Sequence, residues 1–353
     1  MDITVMDTSF NPIAIIDTYE SLIWTDRYDS YGDFELYLPM STELFTYLKE
    51  DYYLRVKESD HCMIIENIKI ETNAEDGDRL IVTGRSLESI LDRRIIWGQN
   101  TYSGTLQEGI QSMLNDAIIS PTIEERKLDN FIFTTTDNAR IAELTIDNQY
   151  TGDNLYEVIN GLCNENNIGF KIILNDENQF EFSLYAGANR SYDQTDNPYV
   201  IFSPSYENIL SSDYYSSKAE LKNVTLVGGE GEGASRRTTT VGTASGLDRR
   251  EIFTDARDIS SDTEDGEMTE NEYMDKLKNR GLDKLSECIQ TTEFEGEVKD
   301  ERLSTYGEDF FIGDIVQIAD GYGNEMTVYI SELIISNSED GLSIYPTFVT
   351  IKE

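Results

Sequence analysis

The chain has 353 residues, of which 39% are hydrophobic and 10% aromatic, and this is enough apolar material for two or three folded domains. Its 68 acidic and 28 basic residues give a net charge of −40, and so negative a surface repels nucleic acid and anionic membranes. We therefore expect no stable nucleic-acid binding and no membrane insertion, since no apolar run approaches the ~20 residues of a span.

Residues 1–85 predict a β-rich module. Short apolar or alternating runs bounded by turn residues indicate strands over 13–16, 21–24, 34–38, 53–56, 63–71 and 79–83. Asp76-Gly77 is a strong hairpin turn between the last two, and 42–49 is the only helical stretch. Strands in such succession predict a small antiparallel barrel or sandwich.

From Ser86 the apolar spacing changes to that of helices. Leu87, Ile90 and Leu91 fit a helix that begins near Ser86, and Thr105 with Glu108 forms a capping box for a second. A third helix follows 151–153 and leads into a hairpin over 169–174 and 179–185, with its turn at 175–178. This mixed block, residues 86–203, is predicted to be an inserted α/β domain.

Residues 204–353 return to β structure and are predicted to form a second β-barrel module. A strand over 219–227 ends at a stretch rich in Gly, Ser, Thr and Ala, 228–246, which predicts a long mobile loop or an extended hairpin. Thr269 and Glu272 form a second capping box, which begins a helix over 269–288. Four further strands are predicted over 291–298, 314–319, 325–335 and 341–351, with turns at 321–324 and 340–341.

The residues that favour metal binding or nucleophilic catalysis are few. Cys62, Cys163 and Cys288 lie far apart without CxxC spacing, and His61 is the only histidine, so we expect free thiols, no metal and no cofactor. Adjacent strand residues point to opposite faces, so His61 and Cys62 are not expected to act on each other.

Two other patterns point weakly to chemistry. Glycines and glutamates alternate over 229–233, where the glutamates would repel a phosphate, so a flexible loop is favoured over a nucleotide site. Acidic groups such as Asp51/Glu58, Glu124/Glu125 and Asp262/Glu264/Asp265 leave glycoside hydrolysis open on composition alone, although solvated surface is favoured.

The interface candidates are the densest basic positions together with two aromatic residues. They are Arg236, Arg237, Arg249, Arg250, Arg257, Trp24 and Tyr31. The arginines have two readings, as docking residues for an acidic neighbouring subunit or as local partners of Glu251, Asp255 and Asp258. Seven tyrosines fit either subunit contacts or a carbohydrate-binding face: Tyr28, Tyr31, Tyr37, Tyr52, Tyr53, Tyr214 and Tyr215.

One sequence echo links the two ends of the chain. The hairpin predicted over 21–39 contains Tyr31-Gly32-Asp33-Phe34, and a similar cassette, Tyr306-Gly307-Glu308-Asp309-Phe310, precedes the strand at 314–319. An echo this short is compatible with chance, or with two related β-modules, one near each terminus.

Several stretches occur in an order that resembles a tail-hub (tail-tip, Gp37-like) family of siphophages and prophages of Gram-positive bacteria. They are 21–39, Gly84-Arg85-Ser86-Leu87 with 91–96, 228–236, 246–251 and 306–348. The family is similar in architecture to contractile-phage baseplate hub proteins and the VgrG base of type VI secretion. The resemblance implies an α+β, mainly β fold with two small antiparallel tail-tube-like barrels and an inserted α/β domain.

The resemblance also implies a structural, non-enzymatic role in a phage, prophage or phage-tail-like bacteriocin (tailocin). Two barrels in each of three subunits would form a pseudo-sixfold ring, so that a homotrimer joins the sixfold tail tube to a threefold tip and lines the conduit for DNA ejection. The implied partners are the distal tube ring protein, the C-terminus of the tape-measure protein, and a spike, fibre or tail-tip extension.

The implied location is the virion tail tip or baseplate, after assembly in the host cytoplasm. From the net charge we expect an acidic conduit wall that repels phosphates. The alternatives are a tail-associated peptidoglycan hydrolase and a carbohydrate-binding adhesin. Because the last predicted strand ends at 351, we expect no lytic domain behind it.

Overall fold

The computed structural model describes residues 1–73, 77–263, 266–298, 305–322, 325–339 and 341–351. The fold is mainly β, with 42% strand and 22% helix, which confirms the coarse fold class. The predicted turn residues Asp76, Gly323, Asn324 and Asp340 and the acidic residues Glu264 and Asp265 lie outside the described residues. Within the described chain, no helix has the length and apolar character of a membrane span.

The strands and α-helices alternate irregularly along the chain. The strands are β1 Ile3–Met6, β2 Pro12–Ile16, β3 Ser21–Arg27, β4 Asp33–Pro39, β5 Tyr53–Arg55, β6 Cys62–Asn73, β7 Gly77–Ser86, β8 Gln99–Thr105, β9 Phe131–Thr134, β10 Thr145–Thr151, β11 Gly169–Leu174, β12 Phe180–Tyr185, β13 Ile201–Phe202, β14 Ile209–Ser217, β15 Val224–Gly228, β16 Thr238–Val241, β17 Glu251–Asp255, β18 Asp262–Thr263, β19 Gly266–Glu267, β20 Thr291–Val298, β21 Ile315–Ala319, β22 Glu325–Ser338 and β23 Gly341–Thr350. The α-helices are α1 Thr42–Tyr47, α2 Leu106–Leu114, α3 Ala139–Ala142, α4 Leu155–Glu165 and α5 Glu270–Ser286.

A 13-stranded central sheet contains strands from both ends of the chain. Its order is β14-β20-β23-β22-β3-β4-β7-β6-β5-β1-β2; β21 also pairs with β22, and β13 pairs with β21. No sheet of the described residues closes into a barrel, so the prediction of two barrels is not confirmed. The predicted N- and C-terminal modules share one sheet because β22 pairs with β3, from Glu332 opposite Arg27 to Ser338 opposite Ser21, which leaves neither edge exposed there.

Two five-stranded sets within this sheet have the same order and register. The N-terminal set is β3-β4-β7-β6-β5 and the C-terminal set is β14-β20-β23-β22-β21, and corresponding strands follow one another in the same chain order. Met63 of β6 pairs with Ser86 of β7, as Val328 of β22 pairs with Thr350 of β23. The long hairpin of each set therefore has equivalent pairing.

A register shift at the same position in β6 and β22 supports the equivalence of the two strand sets. The shift in β6 falls between Ile65 and Asn67, and the shift in β22 falls between Ile330 and Glu332. In both strands the shift lies two residues beyond the matched pair, Met63 or Val328. An extra residue in one strand of a pair is a β-bulge, which bends the strand and sets the register after it.

The sequence echo does not mark these equivalent positions. Tyr31-Gly32-Asp33-Phe34 leads into β4, whereas the cassette at Tyr306 precedes β21. By register β4 corresponds to β20, because Asp33 lies opposite Arg85 in β7 and Glu293 lies opposite Val349 in β23. The repetition is present in the strand pairing, at positions that the echo does not indicate.

The core of the central sheet combines side chains from both sets. Fully buried members include Leu22, Leu36, Val82, Leu333, Ile335 and Phe348. Residues 87–184 surround a second core, which includes Leu106, Ile110, Leu155, Phe170 and Phe182 and which Cys62 and Ile64 join from β6, whereas Val200 and Phe202 belong to the first core. The predicted capping box of α2 and the hairpin β11–β12 are confirmed, and the helix after Ser86 is a 3-10 helix, Leu87–Arg93.

A smaller three-stranded sheet, β16-β15-β17, packs against α5. The stretch 228–246 is an extended hairpin here, because β15 pairs with β16. Thr269 caps α5 as predicted. A Cβ on Gly281 would lie 2.7 Å from methyl groups of Val227 and Val241, so this mid-helix glycine allows α5 to approach the sheet closely.

Candidate functional site

Tyr28, directly after β3, lies where three parts of the chain meet. Its amide donates to the carbonyl of Ser331 in β22 (2.9 Å), and its carbonyl accepts from the amide of Phe170 in β11 (3.1 Å). The hydroxyl donates to the carbonyl of Asn167 (3.2 Å) and accepts from the amide of Gly187 (3.4 Å). Burial raises the pKa of the hydroxyl to about 12, so it stays neutral and connects residues 86–203 to both sets.

Two glycines make room for the Tyr28 ring. A Cβ on Gly169 would lie 2.4 Å from the ring, and a Cβ on Gly313 would lie 2.2 Å from it. Gly313 also has a φ of +87°, a conformation that other residues adopt at a cost. Both positions therefore require glycine for the junction to close.

A buried polar cluster lies beside this junction. Oδ1 of Asp26 accepts from the Trp24 indole (3.1 Å), and Oδ2 accepts from the Ser59 hydroxyl (2.6 Å). The amide of His61 donates to the same hydroxyl (3.0 Å). Nδ1 of His61 lies 3.2 Å from Oε1 of Glu88, without the alignment of a hydrogen bond.

Electrostatics keep His61 protonated. Burial alone would lower the pKa of the imidazole, but the carboxylates of Asp26 and Glu88 outweigh burial and raise this pKa to about 9. Burial raises the pKa of Asp26, and His61 partly offsets it. For Glu88, burial acts to raise the pKa, but His61 and hydrogen bonds hold it below its usual value. The cluster therefore holds a protonated His61 beside the ionised carboxylate of Glu88 at neutral pH.

This cluster does not form a nucleophile and base. Cys62 belongs to the core of residues 86–203, and burial raises the pKa of its thiol to about 12. A protonated imidazole cannot accept a proton, and a thiol is a poor nucleophile compared with a thiolate. All three cysteines are free, Cys62 and Cys163 buried and Cys288 half-buried. In the described parts of the chain, no group of His, Cys, Asp and Glu is arranged to hold a metal ion.

A cavity of about 510 Å³ opens beside the cluster. Its charged and aromatic lining includes Asp26, His61, Lys171, Arg190, Tyr306 and Asp314. Asp314 is fully bonded, because it accepts from the amides of Ala188 (2.7 Å) and Phe311 (3.0 Å) and from Nε of Arg190 (2.7 Å). Asp314 therefore connects residues 188–190 to β21 and its preceding turn, which is a structural role.

Three of the predicted interface arginines cluster at one end of the small sheet. Arg236 and Arg257 both donate to the carboxylate of Asp255, each at 2.6 Å. The Arg237 guanidinium lies 4.5 Å from the ring centre of Tyr273 and 3.8 Å from Glu230. Local pairing is therefore observed for these arginines, and an additional docking role stays a prediction.

The other two arginines lie near the opposite end of β17. Arg249 pairs with Glu251 (2.5 Å), and Arg250 donates to the carbonyl of Lys218 (3.1 Å). The third expected acidic partner, Asp258, pairs instead with Arg280 (3.0 Å). The five arginines thus form two groups on one small sheet.

Glu230 anchors the glycine-rich turn. Its carboxylate accepts from the Ser260 hydroxyl (3.0 Å) and from the amide and hydroxyl of Ser261 (3.1 and 2.8 Å). These bonds outweigh the effect of desolvation and lower the pKa of Glu230. Ser260 and Ser261, which lie outside this turn, thus bind its carboxylate, whereas a phosphate loop would present its own amides to a ligand.

The two aromatic candidates differ in exposure. Trp24 is fully buried and packs against Phe34. It is not on the surface of the single chain, because β22 pairs with this edge of β3 and places Ile335 opposite Trp24. Tyr31 is half-buried between the Tyr156 ring, 4.7 Å between centres, and the Arg85 guanidinium at 4.8 Å. Tyr31 thus contacts residues 86–203 within the chain.

The central sheet also has a polar face, formed by the side chains of β22, β3, β4, β7 and β6 that point away from the core. Its cations each contact a carboxylate: Arg27 with Asp33 and Glu332, Lys69 with Glu71, Arg79 with Glu20, and Arg85 with Glu66 and Asp92. A phosphate approaching these cations would have to compete with a carboxylate already in place.

The sequence and fold match known tail proteins. A family model described as Siphovirus ReqiPepy6 Gp37-like protein matches residues 2–348. The chain belongs to this family. The resemblance inferred from the ordered sequence stretches is thereby confirmed. A search of curated proteins finds no match to the chain.

Solved structures share the fold of this family member at low identity. A tail protein from Neisseria meningitidis MC58 has a TM-score of 0.60 at 12% identity and covers 99% of this chain and 96% of its own. The prophage tail protein gp18 from Listeria monocytogenes EGD-e has a TM-score of 0.55 at 12% identity, with 100% and 95% covered. A lidless PdpA–VgrG complex has a TM-score of 0.50 at 11% identity, with 99% and 63% covered. Family and fold are thus those of phage tail and baseplate-hub-like proteins.

Sequence reasoning missed the roles of Tyr28, Asp26 and Glu88. A signal was present for two of them, since Asp26 ends an apolar run that begins at Leu22 and Glu88 stands among Leu87, Ile90 and Leu91. An acidic residue inside an apolar run is a candidate for a buried, paired carboxylate.

Proposed function

We propose that the protein is a structural hub at the tail tip or baseplate of a phage, prophage or phage-tail-like bacteriocin. It acts as a homotrimer that joins the sixfold tail tube to a threefold tip. Each equivalent strand set serves as one tail-tube-like module, and residues 86–203 form a domain inserted between them. The repetition of one strand set within a single chain carries this proposal, because three copies then supply six equivalent units.

The polar face of the central sheet is the surface that we assign to the DNA conduit. The net charge of −40 predicts an acidic wall, and on this face six carboxylates surround the four cations. DNA would therefore pass a wall whose cations are already paired and whose excess of carboxylates repels phosphates. An acidic wall with paired cations supports passage without stable binding.

The proposed partners follow from this position. The distal tube ring protein lies above the ring, the C-terminus of the tape-measure protein enters it, and a spike, fibre or tail-tip extension lies below. The two arginine groups of the small sheet are the candidate docking sites for an acidic neighbour. The ring would assemble in the host cytoplasm and function at the virion tail tip.

Native mass spectrometry and electron cryomicroscopy test the proposal. A trimer of the 40.2-kDa chain has a mass of about 121 kDa, and its projections along the axis should show six similar units. A protein that stays monomeric alone and in the presence of the distal tube ring protein would overturn the proposal. Release of sugars or peptides from peptidoglycan, or retention on cell-wall polysaccharide, would instead support the hydrolase or the adhesin.

A further inference from the structure

The joint between the two sets inside the chain has a specific geometry. The first part of β22 pairs with β21, and the part beyond its register shift, residues 332–338, pairs with β3 on the same edge. The other edge of β22 is occupied by β23 from Val328 to Ser338. One strand thus holds two successive neighbours on one edge, and β3 is the second of them.

The equivalent place in the N-terminal set is open. β6 corresponds to β22, and its first part pairs with β5 while its other edge pairs with β7. Among the described strands, none lies beside residues 67–73 of β6 on the β5 edge. The strand equivalent to β3 is β14, which pairs with β20 and with no other described strand.

We propose that β14 of one copy pairs antiparallel with residues 67–73 of β6 in the next copy and so repeats the β22–β3 joint between subunits. This inference rests on the proposed homotrimer and names the surface that builds it. The partner of each open edge is a second copy of this chain, and the two copies are joined by backbone hydrogen bonds between their strands.

The internal joint also gives the register. In the N-terminal set a row of opposed residues runs across the sheet through Trp24, Phe34, Gly84 and Ile65. Within the chain, Ile335, which stands five residues after Ile330 in β22, is opposite Trp24. The equivalent row in the C-terminal set runs through Tyr214, Phe294, Phe348 and Ile330.

The residue that completes this second row comes from the next copy. Ile70 stands five residues after Ile65 in β6, as Ile335 does after Ile330 in β22. Ile70 of one copy is therefore placed opposite Tyr214 of its neighbour. By the same shift, Asn67 is placed opposite Ser217.

Exposure of the two residues agrees with this register. In the single chain the side chains of Ile70 and Tyr214 are each 45% exposed, whereas the equivalent pair Ile335 and Trp24 is 1% and 0% exposed. Ile70 and Tyr214 are thus partly exposed apolar side chains at two strand edges that no described strand covers in the single chain. An open strand edge with apolar side chains favours pairing with another chain.

The proposed joint is compatible with a closed ring of three copies. The contact joins different surfaces of two copies, and such a contact forms a ring only when the rotation between copies closes. If the joint between copies repeats the joint within a copy, three chains contain six equal joints in sequence around the ring. All open edges of β14 and β6 are then occupied.

Site-directed crosslinking tests the register. Opposed residues of antiparallel strands have Cα atoms about 4.5–5.5 Å apart, within the range of a disulfide. Ile70→Cys with Tyr214→Cys, in a Cys288→Ser background that removes the half-buried thiol, should give covalent dimers and trimers on mild oxidation. The matched control Ile15→Cys with Tyr214→Cys uses another sheet edge, where Ile15 is 69% exposed on β2, and should stay uncrosslinked.

Two single variants measure the same contact without crosslinking. Ile70→Asp should lower the association constant of the trimer by about 30-fold or more, because it places a charge in an apolar contact. Ile15→Asp should change the same constant by less than about threefold. Unchanged melting temperatures would show that both variants fold. If the wild type is a trimer but Ile70 and Tyr214 do not crosslink and Ile70→Asp does not weaken assembly, the joint is wrong and the hub stands. A wild type that stays monomeric even with the distal tube ring protein overturns both.

Discussion

His61 offers a direct test of the buried ion network, because its folded-state pKa of about 9 lies well above the 6.5 of an exposed imidazole. This difference corresponds to about 3 kcal/mol of stabilisation of the protonated form by Asp26 and Glu88 after the cost of burial. Because the pKa is raised on folding, the contribution is fully present below about pH 6.5. It is lost as the pH rises through about 9.

The assay follows one imidazole through its titration. His61 is the only histidine of the chain, so its Cε1 proton gives a single assignable NMR signal. We expect its midpoint near pH 9. In urea unfolding the wild type should lose about 2–3 kcal/mol more stability between pH 7 and pH 10 than His61→Gln, which has no titrating imidazole.

The control and the contrary result are equally specific. Lys57→Gln removes an exposed cation from the rim of the same cavity and should leave the His61 midpoint within a few tenths of a unit. A midpoint near 6.5 in the wild type would show that the two carboxylates do not act on the imidazole. The description of the His61 cluster as a network of ionised groups would then be wrong.

Four further outcomes are expected. Gly313→Ala should lower the free energy of unfolding in urea by about 2–3 kcal/mol, because the position has a positive φ and the new Cβ clashes with Tyr28. Gly307→Ala has a positive φ but no clash, so it should lower this free energy by about 1 kcal/mol. Trp24→Ala should cost about 3–5 kcal/mol by the same measurement, because it empties a buried site. Arg257→Ala should leave stability almost unchanged, as for an exposed ion pair, but should weaken capture of the tube ring protein if the arginine docks. Trimerisation measured by light scattering should strengthen as ionic strength rises from about 0.01 to 0.1 M, because salt screens the repulsion between chains of charge −40.

The sequence predicted best what is encoded locally. Capping boxes at Thr105 and Thr269 and the hairpin across 175–178 are specified within a few residues, and each is confirmed. β14 was missed because Ile209–Ser217 is rich in serine and gains its strand conformation from pairing with β20. Propensity is a weak guide where cross-strand pairing decides the structure.

The central joint was beyond local reasoning. Arg27 and Glu332, which pair across it, are 305 positions apart in the sequence. Trp24 was predicted as an interface residue, and it does lie at a strand-to-strand joint, but this joint is internal and β22 buries it. A sequence pattern shows that a strand has an apolar face but leaves open which strand will cover it.

The repetition itself shows why register outlasts sequence in this fold. In the matching rows, Gly84 of the N-terminal set occupies the position of Phe348 in the C-terminal set, and a Cβ at Gly84 would lie 1.8 Å from the Ile64 carbonyl. One row thus needs the absence of a side chain where the other buries a phenyl ring. The size of the side chain at one row position can thus differ between the two sets while the backbone pairing stays the same. The pairing stays the same because a slip of one residue would move every core side chain to the polar face. The pairing, more than any motif, is therefore what two sets in one chain must keep in common if they are to occupy equivalent places in a ring.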